Sequence, residues 1–280
     1  MLHPQGRRLY NDRLHCESGR REIVLKLRSV AMTDIGRKRE RNEDNYFSDD
    51  AMGLFVVADG MGGHSGGAFA SALAVKTIEE VMRSLLEDPE ATVIAGVNET
   101  LSEYGLRLKY AITVASERIF DQAIYDVSLR GMGTTTVALL FEDGNVYVAN
   151  VGDSRAYLLR GTRFEQITDD HSLVGEQLRA GLINKKDVKN HRFKNIITRS
   201  VGFQEQVEID LLERKPEVGD RFLLCTDGLT NYVYDHELKA ALTKKADLPA
   251  IAQGLIALAN ERGGDDNITL ILVDVLETDG

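Results

Sequence analysis

Apolar residues recur along the chain in two rhythms. Leu54-Phe55-Val56-Val57-Ala58, Phe222-Leu223-Leu224-Cys225 and Ile268 through Val273 are short unbroken runs that read as strands buried on both faces. Ile23, Leu25 and Leu27 alternate in a strand ending near Met32, and Tyr46-Phe47 marks a second short strand. Thr135 to Phe141 and Val146 to Ala149, joined through Asp143-Gly144, predict a hairpin. Ala156 to Leu159 and a strand around Phe164 extend that meander, and Val207, Ile209 and Leu211 alternate in the same way. The helical rhythm appears at Ala70, Ala74, Ile78, Val81 and Leu85, and again at Leu101, Tyr104, Leu108, Ile112, Ala115 and Ile119. Pro89 separates these two helices, and Leu248, Ile251, Leu255 and Leu258 predict a late one. The order lacks βαβ alternation. It points to antiparallel sheets covered by helices, an α+β layered sandwich.

No repeat and no Pro/Ser-rich linker divides the 280 residues, so residues 23–280 read as one domain. Residues 171–195 are polar and mixed, with one short helical piece, and predict a surface flap. Residues 1–22 carry five arginines and no apolar core, which predicts a polar, mobile extension rather than a signal peptide, and a cytoplasmic protein. No apolar run approaches the ~20 residues of a membrane span. With 34 basic and 44 acidic residues the net charge is −10, which disfavours broad binding to nucleic acid or anionic membranes. Cys16 and Cys225 are too few for a disulfide framework or a cysteine-built zinc site, and Cys225 reads as a small buried hydrophobe.

The acidic residues change the picture. Asp59 follows the buried run ending at Ala58, Asp227 stands two residues after Cys225, Asp266 just precedes the last strand, Asp153 lies in a turn between strands, and Asp44 precedes Tyr46-Phe47. A lone Asp-Gly is ordinarily a turn, as at Asp143-Gly144. Asp59-Gly60-Met61-Gly62-Gly63-His64 is too glycine-rich for a hairpin tip, and Asp227-Gly228 interrupts a core-like run. Carboxylates delivered to one place by several strand ends repel each other unless a cation sits among them. Oxygen donors select a hard ion, Mg²⁺ or Mn²⁺. Zinc lacks a His/Cys cluster, and no EF-hand loop is present. Two such ions ~3.5–4 Å apart are a standard device for phosphate-ester hydrolysis. Arg37-Lys38-Arg39-Glu40-Arg41, just ahead of Asn42-Glu43-Asp44, supplies guanidinium groups able to clamp a phosphate.

These stretches, together with Thr33-Asp34-Ile35-Gly36, Gly131-Met132-Gly133-Thr134-Thr135, Asn150-Val151-Gly152-Asp153-Ser154-Arg155, Leu224 to Leu229 and Gly264-Asp265-Asp266-Asn267-Ile268-Thr269, stand in one order over residues ~30–275. In this the sequence resembles the metal-dependent protein phosphatases, the type 2C serine/threonine phosphatases, in their bacterial form. The resemblance implies a four-layer αββα sandwich of two antiparallel sheets, with the metal centre at one edge. It implies two Mn²⁺ or Mg²⁺ ions bridged by Asp59, one of them also held by the Gly60 carbonyl, with Asp227 and Asp266 completing the centre. Asp44 and Glu43 would act through metal-bound water, with Asn267 beside Asp266. Asp153 would serve a third, weaker site. Arg39 would grip the phosphate, and a metal-bridging hydroxide would attack phosphorus in line. Phosphorylated proteins are the implied partners, with a protein kinase acting in opposition.

The chain departs from the animal pattern at Met61, where those relatives place a histidine. His64, three residues on, is then either a general acid or a cap at the start of the helix. Asp170 and His171 are suggestive only by position. Two rival readings are a catalytically dead phosphoprotein binder and a nucleotide binder using residues 60–67, the latter lacking a P-loop lysine. A third keeps the enzyme but makes it a regulator of sigma-factor antagonists.

Overall fold

A computed structural model describes residues 15–16, 23–62, 66–88, 102–184, 187 and 191–277. Two antiparallel sheets lie face to face. The first contains β1 (His15–Cys16), β2 (Ile23–Asp34), β8 (Arg155–Arg160), β9 (Arg163–Gln166), β11 (Arg221–Cys225) and β12 (Ile268–Glu277), in the order β1-β2-β12-β11-β8-β9. The second contains β3 (Asp44–Asp49), β4 (Leu54–Met61), β6 (Thr136–Glu142), β7 (Asn145–Val151) and β10 (Asp210–Arg214), in the order β10-β7-β6-β4-β3, with the short β5 (Gly133–Thr134) paired to the end of β4. Helices α1 (Gly66–Glu87) and α2 (Glu103–Tyr125) cover the second sheet. Helices α4 (Asp227–Thr230), α5 (Asp235–Leu242) and α6 (Leu248–Glu261) cover the first. The short α3 (Leu173–Arg179) is the helical piece of the expected flap.

The unbroken apolar runs follow from this layering. In β4, Leu54, Val56 and Ala58 face α1 and α2, while Phe55 and Val57 face the other sheet. In β11, Leu223 and Cys225 meet the late helices, while Phe222 and Leu224 point into the sandwich. Both faces of each strand are thus apolar, as in a doubly covered sheet. At the centre Phe141 meets Phe55 edge-on at 5.9 Å and Phe222 at 5.4 Å between ring centroids, geometry that suits the aromatic quadrupole. Asp143 and Gly144 both adopt positive φ (50° and 71°), the backbone a two-residue hairpin requires. Cys225 is free and buried.

The alternation at Val207, Ile209 and Leu211 places a strand slightly early. Pairing begins at Asp210, opposite Asn150, because β7 ends at Val151. Val207 and Ile209 still pack on the helix-side core, so their alternation records burial without pairing. Helices α4 and α5 carry too few apolar positions for the sequence pattern to locate them. Leu101 lies outside the described residues; α2 starts at Glu103 behind Ser102, whose Oγ accepts from Gly105 N. Of residues 1–22 only His15–Cys16 is described, paired with Val24 and Ile23. Among the described residues no helix is long and apolar enough to cross a membrane.

Candidate functional site

Strand register gathers the acidic residues at one edge of the sandwich. Asp44 opens β3 and stands directly opposite Asp59 on β4. Cys225, at the end of β11, is opposite Leu270 of β12 and Arg155 of β8. Thr226-Asp227, Asp266-Asn267 and the Asp153 turn therefore emerge together. Asp59 lies inside β4, not beyond it, because β5 extends the pairing to Gly60 and Met61. Its backbone is pinned by Thr135: Thr135 N donates to the Asp59 carbonyl at 2.8 Å, and Asp59 N donates to Thr135 Oγ1 at 3.0 Å. Gly60 N donates to the Glu43 carbonyl at 3.1 Å. A Cβ on Gly60 would overlap the Gly67 carbonyl at the start of α1, so only glycine lets these two segments close.

Asp44 and Asp153 are buried, Asp59, Asp227 and Asp266 half-buried, and the cluster is short of positive charge. Burial pushes the Asp44 carboxyl up to about 7, aided by the charges of Asp227 and Asp266 and opposed by hydrogen bonds from Thr269 and Thr226. Asp59 is raised further by burial and by Asp44, Asp227, Asp153 and Asp266. Asp227 is raised by burial and by Asp266, and lies within hydrogen-bonding reach of Asp59. Asp153 is pushed up to about 8 by burial and by Asp227 and Asp170. Thr226 Oγ1 donates to Asp44 Oδ2 at 3.0 Å, and Asn231 Nδ2 donates to Asp227 Oδ2 at 2.9 Å. The other oxygens, Asp44 Oδ1 and Asp227 Oδ1, are buried without a donor. Among the described residues no three His, Cys, Asp or Glu side chains are set out as ligands around one point. Donor-less buried carboxylate oxygens in an all-oxygen set are nevertheless what a hard divalent ion requires.

The basic run folds back onto the Gly264–Asn267 segment. Lys38 pairs with Asp265 at 2.6 Å, and Arg39 Nη2 donates to Asp266 Oδ2 at 2.7 Å. The Arg39 side chain is about half exposed (47%), so the guanidinium faces solvent beside the cluster. Asn267 holds this arrangement. Its Nδ2 donates to the carbonyls of Ile35 and Arg41, both at 2.9 Å, and its Oδ1 accepts from Glu43 N at 2.8 Å. Asn267 is thus a staple with every one of those bonds directed at the loop, and not an open ligand.

Asp153 and Asp227 share a small cavity with Arg155, Asp170, Asn231 and the flap residue Lys194. Arg155 grips Asp170 through two bonds, at 2.8 and 2.6 Å. His171 is buried; Gly152 N donates to its Nδ1 at 3.1 Å, which leaves Nε2 carrying the proton toward Asp210 at 3.0 Å. It ties the flap to the Asp153 turn. His64 lies outside the described residues. Sequence reasoning passed over Thr226 and Asn231. Thr226 carries one available signal: it precedes Asp227 where strand gives way to helix, a position suited to a hydroxyl.

A family model described as Protein phosphatase 2C matches residues 36–269. The serine/threonine phosphatase stp of Listeria welshimeri serovar 6b is 41% identical over 245 residues, covering 86% of this chain and 93% of the relative. The crystal structure of the Mycobacterium tuberculosis serine/threonine phosphatase PstP/Ppp superposes with a TM-score of 0.79 at 33% identity, covering 90% of this chain and 100% of that one. A structure of the PstP catalytic domain in complex with two manganese ions gives a TM-score of 0.77 at 32% identity, covering 90% and 99%. The match spans both sheets and every segment that brings an acidic residue to the shared edge, and on that ground the chain belongs to the protein phosphatase 2C family.

Proposed function

We propose that this chain hydrolyses phosphoserine and phosphothreonine in proteins, using two divalent ions, Mn²⁺ or Mg²⁺, and that it opposes a protein kinase. The observation that carries this reading is the pair of buried, donor-less oxygens on Asp44 and Asp227 in a half-buried cluster with Asp59, beside a solvent-facing Arg39. The manganese in the PstP neighbour supports it. Asp59 would bridge the ions, the Gly60 carbonyl, Asp227 and Asp266 would complete the set, Asp44 and Glu43 would act at one remove, and Asp153 would serve a third, weaker position. When bound, the ions would supply charge neutralisation and would lower the pKa of a water, so that hydroxide is available near neutral pH for in-line attack on phosphorus.

The chain's own groups do the rest. Thr226 and Asn231 fix the rotation of Asp44 and Asp227. Arg39 exchanges its bond to Asp266 for two parallel bonds to phosphate oxygens, which binds the ester and turns it toward the cluster. Loop 35–43 sets where that guanidinium stands, and Asn267 sets the loop. The test is phosphate release from phosphoserine, phosphothreonine and phosphotyrosine peptides with Mn²⁺, Mg²⁺ and chelator side by side. Metal-dependent release from the first two is expected; release that chelator does not abolish overturns the reading.

A further inference from the structure

A trough of about 530 Å³ begins at Met61 and Gly62, directly after Asp59-Gly60 in the chain. The rest of its lining is Gly131 and a second segment, drawn from residues between Ile197 and Glu208. The second segment is fastened to the site. Thr134 N donates to the Val201 carbonyl at 3.0 Å and Val201 N to that of Thr134 at 2.8 Å, while Thr134 Oγ1 donates to the Asp59 carbonyl at 2.9 Å. Gly202 N donates to Ser116 Oγ of α2 at 3.0 Å, and at φ +83° any side chain there would overlap Ile119. The hollow is therefore preformed, not assembled on binding.

Its chemistry is specific. The Phe203 ring stands 56% exposed in the trough, with Met61 and Val207 as apolar neighbours in a lining whose other half is polar, including Gln204, Gln206 and Glu208. Arg199, also in the lining, is held by Glu208 at 2.9 Å and Asp210 at 2.8 Å, so its charge is already neutralised. A second phosphate gains little there, whereas an uncharged apolar side chain covers an aromatic ring otherwise left in water. We propose that the trough receives a large apolar side chain of the phosphoprotein substrate, close in sequence to the phosphorylated serine or threonine. This rests on the phosphatase reading and adds a substrate class to it.

The experiment moves a single leucine through the positions flanking phosphothreonine in an Ala/Ser peptide, assayed with Mn²⁺ for the wild type and for Phe203→Ser, with para-nitrophenyl phosphate as a substrate too small to span both sites. In the wild type, leucine at one position is expected to raise kcat/KM about tenfold over alanine. In Phe203→Ser that preference is expected to fall below about twofold, measured relative to aryl phosphate turnover. A flat wild-type profile, or a preference surviving in the variant, overturns the assignment while leaving the phosphatase reading in place. Absence of Mn²⁺-dependent aryl phosphate turnover in the wild type overturns both. The wild-type scan decides the matter even if the variant folds poorly.

Discussion

Asp227 is held by Asn231 on one oxygen and by nothing on the other, and burial, with the charge of Asp266, raises its pKa. Asp227→Ala is expected to lower kcat about a hundredfold or more, since even groups behind a metal's ligands cost ~10–100-fold when removed. In chelator the same variant is expected to melt no lower than the wild type, because a buried, repelled charge has gone. Arg39 differs in kind. It is exposed and paired with Asp266, and in the proposed role it would meet phosphate in ground and transition states alike. Arg39→Ala is expected to raise KM about tenfold with kcat within about threefold, and a fall in kcat alone contradicts its assignment. Steady-state kinetics on one phosphopeptide separates the two outcomes. The acidic residues themselves were legible in the sequence: Asp59, Asp227 and Asp266 stand next to the apolar runs of β4, β11 and β12, while Asp44 and Asp153 stood out through the motifs around them. Thr226 and Asn231 were not, because a single hydroxyl or amide leaves no periodic trace.

At the next scale, the loop from Ile35 to Glu43 and the segment leading into β12 are bonded into one unit. Asn267 joins them through three hydrogen bonds, and Arg39 and Lys38 add ion pairs to Asp266 and Asp265. Asn267→Ala leaves a backbone N–H and two carbonyls without partners in a part-buried place. It is expected to cost about 2–4 kcal/mol in urea denaturation, from three bonds at ~0.5–1.5 kcal/mol each. It should also raise KM as Arg39→Ala does, since the loop that aims the guanidinium is released. A stability loss with unchanged KM would show that the loop keeps its place unaided. The sequence displayed both partners of this unit as motifs, yet Arg39 and Asp266 stand 227 residues apart, and only the pairing of β12 with β2 brings them together.

For the whole molecule, the carboxylate edge is expected to make stability depend on pH and on divalent ions. Burial, with the neighbouring carboxylates, raises Asp44 to about 7 and Asp153 to about 8, and raises Asp59 and Asp227 in the same direction. A raised folded pKa means the native state binds more protons than the unfolded chain between the two values. The metal-free protein is therefore expected to be most stable near pH 4 with respect to these groups, and to lose stability as pH rises to about 8. Added Mn²⁺ should reverse the trend and raise the melting temperature more at pH 8 than at pH 5. Melting curves with chelator and with Mn²⁺ across that range check it, and a metal-free stability that climbs over the same interval runs against the assignment. The sequence by itself determined the layers: hydrophobic period is a local property, and unbroken runs such as Leu54–Ala58 can be satisfied only by a strand covered on both faces. It also determined which acidic residues were candidates. The tertiary structure alone decided which polar groups meet. Thr226 reaches Asp44 across 182 residues, and that encounter depends on strand register, a long-range quantity that no stretch of sequence encodes.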